Sequence, residues 1–224
     1  MIVGIQQPEH GPWLGFFNKM AQVDCFVLLD DVQFKKRYFE NRNRIRGAEG
    51  AQWLTVPVVS KGRYEQYINE VAVDEAQSWR KKYLGSLQHA YGKAGGYGAH
   101  YEDLKAIIER PWQLLAELNI ALIDYFVDVC RISRQYLLSS SLDTGAARGS
   151  DLILEICRQV GASVYVSGPN GSNYLDLAAF ADEGIRIVYH EYEHPEYEQL
   201  HPPFMSHMSI IDALFCAPHV DAIV

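Results

Sequence analysis

Apolar positions recur along this chain with two different periods, and the alternation between them predicts its architecture. Residues 2–5 form a short apolar run rich in Ile and Val with no charge, which predicts a strand covered on both faces. Residues 6–12, QQPEHGP, interrupt it with polar and helix-breaking positions and predict a loop. Trp13, Leu14, Phe16, Phe17 and Met20 then fall near helical spacing, predicting a helix over 13–21, and a second strand follows at 26–29. QWLTVPV at 52–58 alternates apolar and polar residues, so it reads as a third strand whose Pro57 places its end near a sheet edge. Residues 68–73 read as a fourth, with 60–66 an exposed loop or lid between the two.

The middle of the chain changes period. Trp79, Tyr83, Leu87 and Tyr91 recur every four residues, and Leu114, Leu115, Leu118, Leu122, Ile123 and Phe126 continue the pattern after Pro111, predicting helices over roughly 75–130. GKAGGYG at 92–98 separates the stripes as a turn, because it lacks the Lys-Ser/Thr ending and the preceding strand of a phosphate loop. The last third alternates again. A helix over 151–160 with Ser150 as N-cap, a strand at 163–166, a helix over 174–183 and a strand at 185–189 make a βαβ pattern. The expectation is one three-layer α/β domain over residues 1–224, with a mostly parallel sheet and a helical insertion over roughly 75–133.

Composition narrows the class without changing the architecture. With 224 residues, 48% of them hydrophobic, the chain has enough apolar surface for a full core. Its formal charge of −8 and pI near 5.5 argue against a nucleic-acid binder, whose footprint is basic. No apolar run approaches the roughly 18 residues of a membrane span, and no basic, apolar and cleavage-site succession opens the chain, so a cytoplasmic location is expected. Cys25, Cys130, Cys157 and Cys216 stand singly in apolar segments and read as buried free thiols.

Candidate chemistry concentrates where strands end. Asp30 and Asp31 close the second strand, at the edge where parallel α/β sheets hold their ligands. Successive strand side chains point to opposite sides, so Asp30 is expected to face the ligand crevice and Asp31 to anchor structure through Asn43 or a backbone amide. Lys35, Lys36, Arg37, Arg42, Arg44 and Arg46 follow, interleaved with Asn41, Asn43 and aromatic residues. In an acidic chain such forked donors suit a phosphate or carboxylate. Residues 167–173, SGPNGSN, join a strand end to a helix start and form a second candidate anion loop. Among the histidines, His190, His194, His201 and His207 lie near glutamates but without a tight ligand motif, so no metal is expected; His194, before Pro195, is the best candidate for acid/base work. Ser167 and Cys25 have no histidine nearby in sequence, and no nucleophile stands out.

These residues resemble a known family. Gln7-Pro8, Leu14-Gly15-Phe16, Asp30-Asp31-Val32-Gln33-Phe34 and Asn41-Arg42-Asn43-Arg44-Ile45 look like the signature of WbqC-like proteins, found in bacterial O-antigen and related polysaccharide gene clusters. The similarity continues through Gln52-Trp53-Leu54-Thr55-Val56-Pro57-Val58, Ile68-Asn69-Glu70-Val71, Trp79-Arg80-Lys81-Lys82, Ser167-Gly168 with Tyr174-Leu175-Asp176, His194-Pro195-Glu196-Tyr197 with Gln199, and Ser209-Ile210-Ile211-Asp212. His10 stands where the pattern has an aromatic residue and Phe39 where it has Trp. The resemblance implies transfer of an aminoacyl group such as glycine onto surface polysaccharide, including lipopolysaccharide.

The opening strand, loop, helix and strand are also similar to the start of nucleotidyltransferases and adenylating enzymes with a Rossmann-like core. Those enzymes hold phosphate with a His-x-Gly-His pair; here His10 is followed by Gly11-Pro12-Trp13 and stands alone. Two readings follow. In the first, a transferase moves an acyl or aminoacyl group from an activated phosphorylated donor, acyl or nucleotide, to a sugar acceptor. Arg42, Arg44 and Lys36 then hold phosphate, and Asp30, Asp31, His194 or His10 carries the proton. Gln7, Gln33, Asn41, Asn43, Ser167, Gly168, Tyr174 and Asp176 complete the expected binding set. In the second, the same residues belong to a nucleotidyltransferase-like or non-catalytic sugar-nucleotide binder of the same pathway. Neither reading involves nucleic acid or a membrane span.

Overall fold

The first apolar run folds as β1 (Ile2–Gln6), followed by α1 (Leu14–Ala21) and β2 (Cys25–Leu28). The chain then leaves the sheet for a hairpin of β3 (Arg42–Gly47) and β4 (Gly50–Thr55). Three helices come next: α2 (Trp79–Tyr91), α3 (Tyr97–Glu109) and α4 (Leu115–Val129). The chain returns with β5 (Tyr136–Leu138), α5 (Gly149–Gln159), β6 (Val164–Ser167), α6 (Leu177–Asp182), β7 (Arg186–Tyr189) and α7 (Ile210–Cys216). This computed structural model describes residues 1–132, 136–217 and 219–224. The helical insertion lies between β4 and β5, and Ser133, its expected end, falls outside the described residues.

Five strands form one parallel sheet in the order β5-β2-β1-β6-β7. Strand alternation sorts their side chains into two apolar layers. Phe26 and Leu28 pack with Phe16 and Phe17 of α1 and with the helices of the insertion and α7. Val3, Ile5, Cys25 and Val27 pack on the opposite face with Ile156 and Cys157 of α5 and Phe180 of α6. Helices therefore cover both faces of a three-layer α/β fold. The chain winds outward in opposite directions from β1 and β6, which leaves a crevice beyond the C-terminal ends of those neighbouring strands.

Several expectations give way to the structure. Residues 68–73 are not a strand: Ile68–Glu70 is a single 3-10 turn, because the Ile68 and Asn69 amides donate to Val32 O and Asp30 O instead of to a strand partner. The strand at 52–58 is shorter and pairs antiparallel with β3 in its own two-stranded sheet. Arg148, not Ser150, is the N-cap of α5, and the Ser150 hydroxyl accepts the Asp176 amide at 2.8 Å. Neither β3, the three-residue β5, nor α7 was anticipated.

The polar loop after β1 has no secondary structure of its own, and side chains and an amide from elsewhere donate to the carbonyls of Pro8, Gly11 and Pro12. Asn119 of α4, fully buried, donates through Nδ2 to Pro8 O at 2.8 Å and to Glu40 O at 2.7 Å. Its Oδ1 must then accept from His10 Nδ1 at 2.9 Å, which leaves His10 Nε2 to accept the Tyr83 hydroxyl at 2.9 Å. Asn43 Nδ2 donates to Gly11 O at 2.8 Å, and the Ile210 amide to Pro12 O at 2.8 Å. Gly11 sits at φ 49, and a Cβ there would lie 2.9 Å from Ser209 Oγ.

Asn119→Ala strands two carbonyls and an imidazole N–H in the core. Urea unfolding is expected to show a loss of at least about 3 kcal/mol. Tyr83→Phe, which removes one hydroxyl beside His10, is expected to lose only about 1 kcal/mol.

Candidate functional site

The hairpin presents its cations in a row because β3 alternates. Arg42, Arg44 and Arg46 share one face; Asn43 takes the other, where it holds Gly11, and Asn41 just before the strand donates to Val56 O at 2.9 Å. Trp53 lies directly across from Arg44, and its ring centroid is 4.0 Å from the Arg42 guanidinium and 5.9 Å from that of Arg44. Arg46 is occupied: its guanidinium donates to Gly47 O at 2.6 Å and Pro202 O at 2.9 Å. Arg42 donates to Arg37 O, and the Nε atoms of all three arginines are buried without a partner among the described residues; unlike Arg46, Arg44 has no terminal guanidinium nitrogen bonded to a carbonyl among them. Arg37 turns the chain into this face with φ 63, an uncommon conformation for a side-chain-bearing residue.

Beside this row lies the segment after β7. The Arg44 carbonyl accepts the Ser209 amide at 2.7 Å, and Ser209 pairs in turn with Trp13. The Trp13 ring stacks on His207 at 4.9 Å and His194 at 6.2 Å. A side chain at position 15 would collide with that indole, since a Cβ would lie 2.3 Å from it. His194 Nδ1 donates to Pro195 O at 2.9 Å, which fixes the tautomer; its Nε2 is buried and unpartnered among the described residues. Burial lowers its pKa, which favours the neutral ring with an unprotonated Nε2. Asp212, fully buried, accepts from the Tyr91 hydroxyl at 2.6 Å, the Tyr197 hydroxyl at 2.7 Å and Gln199 Nε2 at 2.7 Å. Tyr91 in turn accepts the Arg46 amide at 2.9 Å, tying the arginine strand to the His194 segment.

A third group sits at the end of β1 itself. Lys19 of α1, 2% exposed, donates to Ile5 O at 2.9 Å and Gln6 Oε1 at 3.4 Å, while Gln6 Nε2 donates to Glu9 Oε1 at 3.1 Å. Burial pushes the Glu9 carboxyl up to about 7, and the nearby Glu40 charge adds to the rise. Glu40, 1% exposed and with Oε2 unpartnered, is also pushed up to about 7 by burial. Burial lowers the Lys19 ammonium to about 8, against the pull of Glu9. The sequence signal for Lys19 was its place between Phe16 and Met20 on the apolar side of α1; Glu9 and Glu40 gave none.

The two aspartates lie one strand away and are turned towards β5. Asp30, 3% exposed, accepts the Ser140 amide at 2.9 Å and its hydroxyl at 2.7 Å, and its own amide donates to Ser139 Oγ at 3.1 Å. The single Ser139 hydroxyl proton serves either Asp30 or Asp31. This reverses the expected division: Asp30 is the saturated anchor, Asp31 the more exposed carboxylate, and Asn43 pairs with neither. The cause is that β2 ends at Leu28, so strand alternation stops before both residues.

The remaining expected residues are placed as follows. Gln7 follows β1 half-buried, Gln33 Nε2 donates to Tyr64 O at 2.9 Å, and Lys36 is exposed. Ser167, at the end of β6, donates to Gly168 O at 3.0 Å, and its carbonyl accepts the His190 amide. Residues 169–173 wind into a 3-10 turn, and Asp176 Oδ1 accepts the Ala178 and Ala179 amides at 3.1 and 3.2 Å. Those helix-start amides, expected to be free for an anion, are thus already capped, with Tyr174 exposed beside them. His10, 1% exposed, is held at a pKa of about 4 chiefly by burial. Among the described residues no three His, Cys, Asp or Glu side chains gather as metal ligands, and no helix is long and apolar enough to cross a membrane.

The match to known proteins follows the same residues, from the loop after β1 to the turn beyond α7. The WbqC-like protein family aligns with residues 7–222. The chain belongs to the WbqC-like protein family. An uncharacterised protein of Mycobacterium tuberculosis (strain ATCC 25618 / H37Rv), Rv1507c, is 36% identical over 216 residues, which cover 95% of this chain and 92% of that protein. No solved structure matches the chain.

In this WbqC-like protein, acid/base behaviour at the β1 end gives a test with a definite sign. Because folding raises the Glu40 carboxyl above its ordinary 4.5 to about 7, its protonated form stabilises the fold below pH 4.5, and that contribution is lost as pH rises through 7. Glu40→Gln mimics the neutral acid. Thermal melts are expected to match wild type at pH 4 and to show a gain on the order of 3 kcal/mol at pH 8. In the same assay at pH 7, Asp30→Asn is expected to be destabilised by about 2 kcal/mol and Asp31→Asn by less than about 1.

Proposed function

We propose that this protein transfers an acyl or aminoacyl group from a phosphorylated donor to an amino sugar or nucleotide sugar in bacterial surface-polysaccharide biosynthesis. The observation that carries the reading is the pairing of unfilled functions in one neighbourhood. Arg42 and Arg44 keep unpartnered Nε–H donors, while His194 keeps an unpartnered, neutral Nε2 acceptor. The arginines hold the phosphate, with guanidinium geometry suited to it. The acceptor amine attacks the acyl carbon, a C–N bond forms, and the phosphate leaves with the electrons of the broken C–O bond. His194 Nε2 takes the proton lost by the amine. Direct transfer needs no protein nucleophile, which agrees with the Ser167 hydroxyl being engaged to Gly168 and with Cys130 and Cys157 being pushed up to about 12 by burial.

The other residues take supporting parts in this proposal. Gln7, Ser167 and Gly168 line the crevice beyond β1 and β6, and Gln33, Lys36, Tyr174 and Asp176 its outer rim. Asn41 and Asn43 place the arginine strand. Asp30 and Asp31 fix the end of β2, and His10, neutral and bonded at both nitrogens, positions the loop.

Titration calorimetry with inorganic pyrophosphate, which carries the phosphate chemistry without sugar or acyl group, tests the anion half. Arg44→Ala is expected to weaken binding by about 1.5–3 kcal/mol. Unchanged affinity returns the arginines to a solvated face. His194→Gln is expected to keep that affinity and lose donor turnover; saturable binding by wild type with the donor left intact would favour a sugar-nucleotide binder without chemistry.

A further inference from the structure

A cleft of about 320 Å³ opens between β4 and the first two turns of α2, beside the arginine row. That is the lower end of the range for small-ligand sites, enough for one ring with its substituents but not for a whole sugar nucleotide. Trp53, Trp79 and Tyr83 contribute its aromatic walls, and Gln77, Ser78 and Ser86 its polar ones. Lys82 is the single charge among the lining residues. Trp53 is 45% exposed, a large aromatic surface left to water, whereas Trp79 is 6% exposed and its indole Nε1 has no partner among the described residues.

Two contacts connect this cleft to the site already described. Trp53 both lines the cleft and carries the Arg42 guanidinium 4.0 Å from its ring centroid. Tyr83 lines it and donates its hydroxyl to His10 in the loop after β1. A ligand occupying the cleft therefore lies one indole away from the phosphate-binding face.

The lining selects a chemistry. An anion would find one lysine here and a row of arginines next door. An apolar ligand would leave the amide, hydroxyl and indole groups unpaired at a cost. A pyranose meets both demands: its C–H face packs on indole, and its hydroxyls donate and accept with Gln, Ser and Thr side chains that do the same. We propose that the Trp53–Trp79 cleft is the sugar subsite, binding one pyranose ring of the acceptor or donor; the assignment rests on the reading of Arg42 and Arg44 as the phosphate site for the rest of that ligand.

Saturation-transfer NMR on the full chain tests it, with N-acetylglucosamine, N-acetylgalactosamine, glucosamine and galactose as probes and uridine as control. Wild type is expected to transfer saturation to the ring protons of at least one sugar, and Arg44→Ala to retain that signal. Ser86→Trp, which fills the cleft, and Trp53→Ala, at an exposed position, are each expected to abolish it while circular dichroism stays unchanged. No signal from any sugar, a signal that survives both variants, or a cleft-dependent signal from uridine alone overturns the proposal. Failure of the phosphate reading is separate: it appears as unchanged pyrophosphate affinity in Arg44→Ala, whatever the sugars do.

Discussion

Three carbonyls of the loop that follows β1, those of Pro8, Gly11 and Pro12, take their donors from outside the loop, and these bonds tie the hairpin and two helices to it. A buried carbonyl without a donor costs as much as a lost hydrogen bond. Asn119 meets the need from α4, Asn43 from β3 and the Ile210 amide from the start of α7. None of these three elements belongs to the parallel sheet. Each is set relative to the sheet through this loop, so the arginine row, the Trp13 stack and the His194 segment inherit their positions from it.

Buried polar groups in this structure fall into two sorts. Asp212, Asp30 and the His10–Asn119 pair are closed networks in which each carboxylate or ring nitrogen has its partner, and such networks define geometry. Arg42, Arg44, Glu40 and His194 are open, each with a buried atom that lacks a partner among the described residues. Native interiors tolerate few such atoms. Among the described residues they cluster in the hairpin and the segment before it, with Gln66, Trp79 and His194 outside it.

The sheet was legible because its strands are apolar runs with helical stripes between them: residues 2–5, 26–29, 163–166 and 185–189 all reappear within a residue or two as β1, β2, β6 and β7. The hairpin was half legible. RNRIRG carries one large apolar residue, Ile45, so its charges concealed a period of two that the strand uses to separate arginines from amides. Residues 68–73 show the converse error, a β-branched segment whose amides are drawn to Val32 and Asp30 carbonyls. Arg44 and His194 both fall within family motifs, and the structure adds the contact through Ser209 and Trp13 that sequence order conceals. Glu9, Lys19 and Glu40 were missed because a sequence records charge but not desolvation, and it is desolvation that shifts all three.

The span of the contacts around Asn119 and Asp212 carries a kinetic consequence. His10 meets Asn119 across 109 positions, and Tyr91 meets Asp212 across 121. Closing such long loops delays folding, because their entropy is lost before any contact repays it. As the chain leaves the ribosome, β1 and β2 emerge well before α4, and α7 later still, so the loop after β1 waits with its carbonyls in water. The loop after β1 is consequently among the last parts of the molecule to acquire its shape, since a nascent chain halted before α7 has all five strands of the sheet but not the Ile210 amide that holds Pro12 O.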